Sequence, residues 1–266
     1  MIETIEDLKN LDAEISIEFG KAISHLRFLL LESDFKNTAD ICFTFMTSTD
    51  LLKDSIFNCA ENNNFYSINV LYRSINEHLL RFKYFWFNNS SYTDDSYALL
   101  FRVSLEFSEK MIFYNAVNSA KQIKSQQIKT SDEIWKNIQD SNKEFQKFTK
   151  GEINEFSKNL SIKNIIRYLE RTLKNNGHET NTYLQKSIIE YTQLSSFVHG
   201  GIQAHKDLVR FETSENKEKI FLDTCGPALQ IATSIKIFSY LVIQQFMPEF
   251  GEIYNNTQEL MKKIKK

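Results

Sequence analysis

Apolar residues recur every three or four positions along most of this chain, which is the spacing of one face of an α-helix. Eight segments show this spacing, and they are 4–33, 38–61, 65–88, 93–124, 161–174, 180–199, 227–246 and the short charged segment 250–264. Polar turn residues separate the segments, and Pro227 fits the first turn of the helix that it opens. The pattern predicts an all-α fold, a long-helix bundle that forms a single domain over residues 1–266.

Two stretches depart from this pattern. The stretch 120–150 is the most polar part of the chain, and we expect it to form a solvated helical hairpin that projects from the body. The stretch 207–223 has two short apolar runs on either side of a polar turn region. Such an arrangement is compatible with a small β-hairpin or with an ordered loop, and both interpretations stay open.

The composition agrees with long helices. Among 266 residues there are only 7 glycines and 2 prolines, so tight turns must be few. The 22 phenylalanines are numerous enough to fill the seams between helices. The net charge of −2 provides no global basic field that would attract nucleic acid. Any contact with nucleic acid must therefore come from a local patch.

The cysteines and the N-terminus bear on localisation. Cys42, Cys59 and Cys225 are odd in number and share no close spacing, which favours reduced thiols in a cytoplasmic protein. The N-terminal segment is acidic and amphipathic, which is not typical of a signal peptide. No window reaches the roughly 18 uninterrupted apolar residues of a membrane-spanning helix, so we expect no contact with a membrane.

Arg73 and Glu77 lie one turn apart on the segment 65–88, which is apolar nearly all round. Such a helix is usually central and buried, and burying a charge is costly unless the charge is paired or used. The helix therefore holds either a structural Arg73–Glu77 ion pair or one wall of a polar site. His78 lies about 140° around the helix from Arg73. It falls toward the apolar stripe, where a satisfied core histidine is the alternative to a functional one.

A second candidate group lies far along the chain. Tyr191, Ser195 and His199 are spaced four residues apart and share one helix face, and Ser196 lies beside them. Two glycines follow, and they let the backbone leave the helix and allow another group to approach closely. Two interpretations stay open. The face binds a substrate, or His199 only satisfies the last carbonyl groups of its helix.

The spacing Arg73-x-x-x-x-His78 resembles the arginine–histidine signature of the HEPN superfamily. The resemblance implies a helical homodimer that acts as a metal-independent ribonuclease in toxin–antitoxin, CRISPR or phage-defence systems. In that chemistry, His78 would be the acid or base in the transfer of a ribose 2′-hydroxyl group to phosphate. Arg73 would stabilise the charge that develops in the transition state. The resemblance implies neither a metal nor a cofactor.

Two longer motifs, Arg73-x-x-x-Glu77 and Tyr191-x-x-x-Ser195-x-x-x-His199-Gly, carry a second resemblance. They are similar to motifs of a microbial helical family that is known only as a domain of unknown function. The resemblance covers roughly 40–225 and implies that the two segments meet in space. It implies no particular reaction.

Two other kinds of site have weaker support. A serine hydrolase would draw on Ser195 or Ser196, His199 and Glu77. The sequence has no nucleophile elbow, and its serine and histidine candidates share one helix. A metal site that joins His205 and Asp207 to His199 would match no standard ligand spacing.

Lysines and aromatic residues are interleaved in 121–150, and they are Lys121, Lys124, Lys129, Lys136, Lys143, Lys147, Lys150, Trp135, Phe145 and Phe148. Such a pattern is typical of a surface that binds RNA or a partner protein. Four acidic residues dilute the charge, so a solvated hairpin is the interpretation that we favour.

The leading hypothesis is a HEPN-like ribonuclease or RNA-binding protein, a cytoplasmic homodimer in a bacterial defence or toxin role. Its catalytic candidates are Arg73, Glu77, His78 and His199, and its substrate-binding candidates are Tyr191, Ser195 and Ser196. The alternative is a non-catalytic helical binding or assembly module in which Arg73 and Glu77 form a buried ion pair.

Overall fold

The computed structural model describes residues 2–175 and 182–244, together with the single positions 255, 259 and 262. These residues form ten α-helices and a 3-10 helix: α1 (Ile5–Leu31), α2 (Lys36–Glu61), α3 (Phe65–Asn89), α4 (Ser96–Ile123), α5 (Ser131–Ser141), the 3-10 helix (Lys143–Lys147), α6 (Lys150–Asn159), α7 (Ile162–Asn175), α8 (Thr182–Val198), α9 (Ile202–Glu212) and α10 (Lys217–Gln244). The described residues contain no β-strand, so the all-α prediction is confirmed. The helix predicted at 250–264 lies outside the continuously described residues.

Helix α3 is the hub of the bundle. It packs against α2, α4, α7, α8, α9 and α10. Its N-terminus is capped by Asn64, whose side chain accepts a hydrogen bond from the main chain of Ser67. Ile75, Leu79 and Phe82 are fully buried, and burial of each such side chain contributes roughly 2 kcal/mol. The prediction that this helix is central and buried is confirmed.

Asp95, in the loop before α4, fixes the start of α2. Its carboxylate accepts hydrogen bonds from the main-chain N–H groups of Asn37 and Thr38 at 2.7 and 2.8 Å. It also accepts from the side chains of both residues, at 2.6 and 2.8 Å. A carboxylate at a helix N-terminus satisfies free N–H groups and is favoured by the helix dipole. Asp95 therefore holds α2 and α4 in fixed relative positions.

A buried ionic network joins α1, α2 and α10. Lys53 lies 2.6 Å from Asp12 and 3.3 Å from Asp50. Asp50 also lies 2.8 Å from Lys236, and both lysine side chains are less than 5% exposed. Burial acts to lower the pKa of Lys53, but the nearby carboxylates of Asp50 and Asp12 outweigh burial and raise that pKa. The network is paired on all sides, as buried charges require.

The stretch 120–150 is not a solvated hairpin. It folds against α4 and builds a second small core, which consists of Val103, Phe107, Ile134, Ile138, Phe145 and Ile153. Capping boxes at Thr130 with Glu133 and at Thr149 with Glu152 start α5 and α6. The prediction failed because these few apolar residues are scattered among charged ones, although their helical spacing is sufficient to cover one side of α4.

Neither the β-hairpin nor the ordered loop considered for 207–223 is present, because this stretch lies within α9, a short turn and the start of α10. Ala204 and Phe211 are buried on one face of α9, seven residues apart. Phe211 stacks on Phe65 of α3 with 4.4 Å between ring centroids, and it also contacts Phe221 of α10. The short apolar runs are therefore helical faces and not strands.

Pro227 lies inside α10 and does not open it, contrary to the prediction. The helix begins at Lys217 because Phe221, Cys225 and Leu229 continue one buried face across the proline at four-residue spacing. A proline removes one main-chain hydrogen bond from a helix interior. Tertiary packing of this face compensates for that loss.

The three cysteines form no disulfide. Cys42 and Cys225 are buried and Cys59 is half-buried. Burial raises the pKa of the Cys42 thiol and of the Cys225 thiol to about 12, which keeps both thiols protonated and unreactive. Across the described helices, none has an apolar stretch long enough to cross a lipid bilayer.

Candidate functional site

The two sequence motifs meet at the interface between α3 and α8. The Arg73 guanidinium donates from Nη2 to the Tyr191 hydroxyl group at 2.8 Å, and from Nε to Ser195 Oγ at 3.3 Å. Its carbon Cζ also lies 4.5 Å from the centre of the Tyr191 ring, which adds a cation–π contact. The prediction that these segments come together is therefore confirmed for Arg73, Tyr191 and Ser195.

Sequence reasoning missed two tyrosines that strengthen the same interface. Tyr66 donates a short hydrogen bond to the main-chain carbonyl of Phe197, and Tyr72 donates to Glu190 at 2.7 Å. Tyr66 and Arg73 lie seven residues apart, so they share one face of α3. That spacing is the signal that identifies Tyr66 as a neighbour of Arg73 on the α8 side.

Glu77 lies between two arginines. Its carboxylate lies 3.6 Å from Arg73 Nη1 but only 2.9 Å from Arg81 Nη2. Arg81 also donates to the main-chain carbonyl of Leu160 at 3.2 Å. The side chains of Arg73, Glu77 and Arg81 are 16%, 25% and 27% exposed. The expected Arg73–Glu77 pair therefore exists, but Arg81 is the closer partner of Glu77.

Ser195 is held as a structural group and not as a nucleophile. Its Oγ donates to the main-chain carbonyl of Tyr191 at 3.2 Å and accepts from Arg73. A nucleophilic serine needs a base within hydrogen-bond reach, and its partners here supply none. Burial, followed by the charge of Glu77, raises the pKa of Tyr191, so its phenol stays protonated. This geometry disfavours the serine hydrolase.

His199 and Ser196 end α8 on the exposed side. The His199 N–H group donates to the Ser195 carbonyl at 3.2 Å, and Ser196 Oγ donates to the Gln193 carbonyl at 3.2 Å. Gly200 has a φ of +63°, and the Gly201 N–H group donates to the Ser196 carbonyl at 2.7 Å. This is a glycine-terminated helix end. In the described part of the chain, the exposed His199 imidazole makes no hydrogen bond, so the structure does not join it to Arg73.

His78 faces a different part of the molecule from Arg73. Its Nδ1 lies 2.8 Å from the Ser74 carbonyl, one turn earlier on α3. Its ring meets Phe45 of α2 edge-on, with 6.0 Å between ring centroids. Because Ser74 accepts a hydrogen bond, Nδ1 carries the proton in the neutral ring and Nε2 keeps its lone pair. The structure thus separates the two residues that the HEPN signature pairs.

A pocket of about 510 Å³ lies between α2, α3 and α4, and His78 is part of its wall. Phe45, Leu105 and Ile112 provide apolar surface. The charged groups that line the pocket are Asp40, Glu77, Arg81, Arg102, Glu106 and Glu109. Four carboxylates against two guanidinium groups leave a formal charge of −2 with His78 neutral. The pocket is therefore acidic, although α3 contributes Arg81.

Neighbouring residues hold most of these charges in place. Arg102 donates to Asn37 Oδ1 at 2.9 Å and forms a short ion pair with Glu144. Glu106 lies 2.9 Å from Lys110 and also accepts from Asn142. Among the described residues, the exposed Glu109 has no ion pair. Glu109 is thus the carboxylate that is most available to a ligand.

Comparison of the chain with protein-family models finds no match, and comparisons with curated proteins and with solved structures also find none. The resemblances to the HEPN superfamily and to the domain of unknown function therefore stay predictions that depend on their motifs. Function has to be argued from the geometry of the sites.

The metal hypothesis gains no support from α9. Asp207 accepts a hydrogen bond from Gln203 at 2.8 Å and lies 3.4 Å from Arg210. Within 2–175 and 182–244, no three histidine, cysteine or acidic side chains come together as metal ligands would. His205 lies on the exposed side of its helix.

The aromatic residues of 121–150 face inward. Phe145 is fully buried, and Trp135 meets both Phe145 and Phe107 edge-on. Phe148 packs against the same small core. These rings are therefore not presented for stacking on RNA bases. A protein partner for this stretch stays a prediction.

Proposed function

We propose that this chain is a helical binding module whose ligand, a small organic cation, occupies the pocket between α2, α3 and α4. The excess of carboxylates in that pocket is the observation that carries the proposal. An acidic pocket attracts cations, and Phe45, Leu105 and Ile112 give it apolar walls. A volume of about 510 Å³ is within the range of small-molecule sites.

The state of Arg73 supports a module without catalysis at the α3–α8 interface. Its Nη2 and Nε donate to Tyr191 and Ser195, Glu77 lies 3.6 Å from Nη1, and Cζ lies 4.5 Å from the centre of the Tyr191 ring. A group that stabilises a transition state must have donors aimed at the reacting atoms. Arg73 instead connects two helices.

Titration calorimetry of the full chain with spermidine tests this proposal. Spermidine is expected to bind, and Glu109→Gln is expected to weaken binding roughly tenfold because it removes the most available carboxylate. Glu215→Gln, which removes an exposed carboxylate after α9, serves as the matched control and should leave the affinity unchanged. Absence of binding, or equal affinity in Glu109→Gln and wild type, would contradict the proposal.

The second candidate is the metal-independent ribonuclease in a bacterial defence or toxin role, and the orientation of His78 favours it. A histidine whose Nδ1 is fixed by a carbonyl group has Nε2 as the basic nitrogen of its neutral ring, which suits a general base. Cleavage of a defined RNA in the presence of a chelator should then be lost in His78→Gln and kept in His199→Ala. Equal cleavage by wild type and His78→Gln, or none by wild type, would exclude this candidate.

A further inference from the structure

A second pocket, of about 400 Å³, lies where the C-terminal half of α3 meets the end of α6 and one face of α7. Six side chains line it, and they are Tyr84, Asn159, Asn164, Arg167, Tyr168 and Arg171. Every one of them carries a hydrogen-bond donor, and none is a carboxylate. Its chemistry is therefore opposite to that of the pocket beside His78.

Arg167 and Arg171 differ from the other arginines whose side chains the structure describes. Those others each lie within 4 Å of a carboxylate, and they are Arg73, Arg81, Arg102 and Arg210. Neither Arg167 nor Arg171 has an ion pair among the described residues. The two are one turn apart on α7, where like charges repel each other. An anion bound between them would relieve this repulsion.

Helix α7 and the residues just before it are basic, in a chain whose net charge is −2. Between positions 158 and 174 the cationic residues are Lys158, Lys163, Arg167, Arg171 and Lys174, against the single acidic residue Glu170. Ile165 and Leu169 are fully buried on the opposite face, so the basic face points outward. Helix α7 therefore offers a local basic patch of the kind that a protein of this charge needs to bind an anion.

Two neutral donors of this pocket, Asn164 and Tyr84, are held in position before any ligand binds. Asn164 donates from its side chain to the Lys158 carbonyl at 2.8 Å. Tyr84 is only 7% exposed, and its ring meets Tyr168 edge-on with 4.9 Å between centroids. Burial raises the pKa of Tyr84, so its hydroxyl group stays protonated and can donate. These two donors therefore bind an anion without the entropic cost of ordering their side chains.

We propose that this pocket binds a phosphate group, either as free phosphate or as the terminal phosphate of a mononucleotide. The guanidinium groups of Arg167 and Arg171 match the geometry of phosphate oxygens, and each can donate two parallel hydrogen bonds. Tyr84 and Asn164 supply neutral donors at the wall. The proposal goes beyond the cation pocket and does not depend on it, because the two pockets share no residue.

Calorimetric titration of the full chain with inorganic phosphate, and separately with adenosine 5′-monophosphate, tests the proposal. Wild type should bind at least one of them, and the double variant Arg167→Gln/Arg171→Gln should weaken binding at least tenfold. Arg210→Gln, which removes an exposed arginine from α9, is the matched control and should bind as wild type does. Tighter binding of the nucleotide than of phosphate identifies a nucleotide site, and equal binding identifies a phosphate site.

Two results would overturn the proposal. One is that wild type binds neither ligand at a concentration of roughly 10 mM, which is about tenfold above the usual upper limit of KM for a metabolite. The other is equal affinity in the double variant and in wild type. Because both arginines are exposed, the double variant should melt as wild type does, and the melting curve verifies that it is folded. Tyr84→Phe should lower the affinity by a smaller factor, because it removes one neutral donor only.

Discussion

The polar residues on the two sides of α3 have different surroundings. On the α8 side, Arg73 is 16% exposed, and its guanidinium donates to Tyr191 and Ser195 and lies 3.6 Å from Glu77. On the α2–α4 side, His78 lines an open acidic pocket. Arg73 and His78, five positions apart in sequence, thus face different helices, and Glu77 lies between them because it pairs with Arg73 and also lines the pocket beside His78. A spacing motif on a helix identifies a site only when both of its residues face the same neighbour.

The largest expected effect on stability is that of Arg73→Ala. The change removes two hydrogen bonds and a cation–π contact from the α3–α8 interface, and each hydrogen bond to a charged group contributes about 1.5–3 kcal/mol. We expect the free energy of unfolding in urea to fall by about 3 kcal/mol. Arg210→Ala, an exposed control, should change it by less than about 0.5 kcal/mol. A loss that small in Arg73→Ala would show that the interface does not depend on this residue.

A smaller effect is expected for Tyr191→Phe, which keeps the ring and removes the hydroxyl acceptor of Arg73. The variant should lose about 1 kcal/mol of stability at neutral pH. The pKa of Tyr191 is raised in the folded state, so its contribution is complete below the unfolded-state pKa and declines as pH rises through the folded-state pKa. The stability difference between wild type and variant should therefore narrow above pH 10, the ordinary tyrosine value. A difference that widens there would contradict this reasoning.

The smallest effect is expected for His199→Ala. The imidazole is exposed and makes no hydrogen bond to described residues, while Gly200 supplies the left-handed backbone of the helix end. The free energy of unfolding should change by less than about 0.5 kcal/mol. Gly200→Ala is the informative comparison, because a φ of +63° strains any residue with a Cβ atom, and it should cost about 1 kcal/mol.

Much of this arrangement follows from local pattern, and the remainder depends on packing. The continuous apolar period predicts α3 and its central place, and the shared face of Tyr191 and Ser195 predicts a partner for Arg73. The contact of Arg81 with the Leu160 carbonyl needs α6 to end beside α3, which no local pattern encodes. The pocket beside His78 needs three helices at fixed distances, so periodicity along one helix cannot reveal it.

The basic pocket beside α7 could be predicted in part from the sequence. Aromatic residues lie among the lysines of 121–150, yet those rings lie in the second core or pack against it. The positive charge on α7 is concentrated on one face, opposite Ile165 and Leu169. The helical spacing of these residues in the sequence predicts that face. The sequence cannot show that no described carboxylate pairs with Arg167 or Arg171, because that depends on which helices surround α7.

A double-mutant cycle between Arg73 and His78 tests the separation of the two sides of α3 most directly. The cycle compares the stability of Arg73→Ala, His78→Ala and the double variant, and a parallel cycle pairs Arg73→Ala with Tyr191→Phe. We expect the losses at Arg73 and His78 to add within about 0.5 kcal/mol, and the Arg73–Tyr191 pair to show a coupling of about 1 kcal/mol. A coupling of about 1 kcal/mol or more between Arg73 and His78 would contradict the separation and restore them as one site.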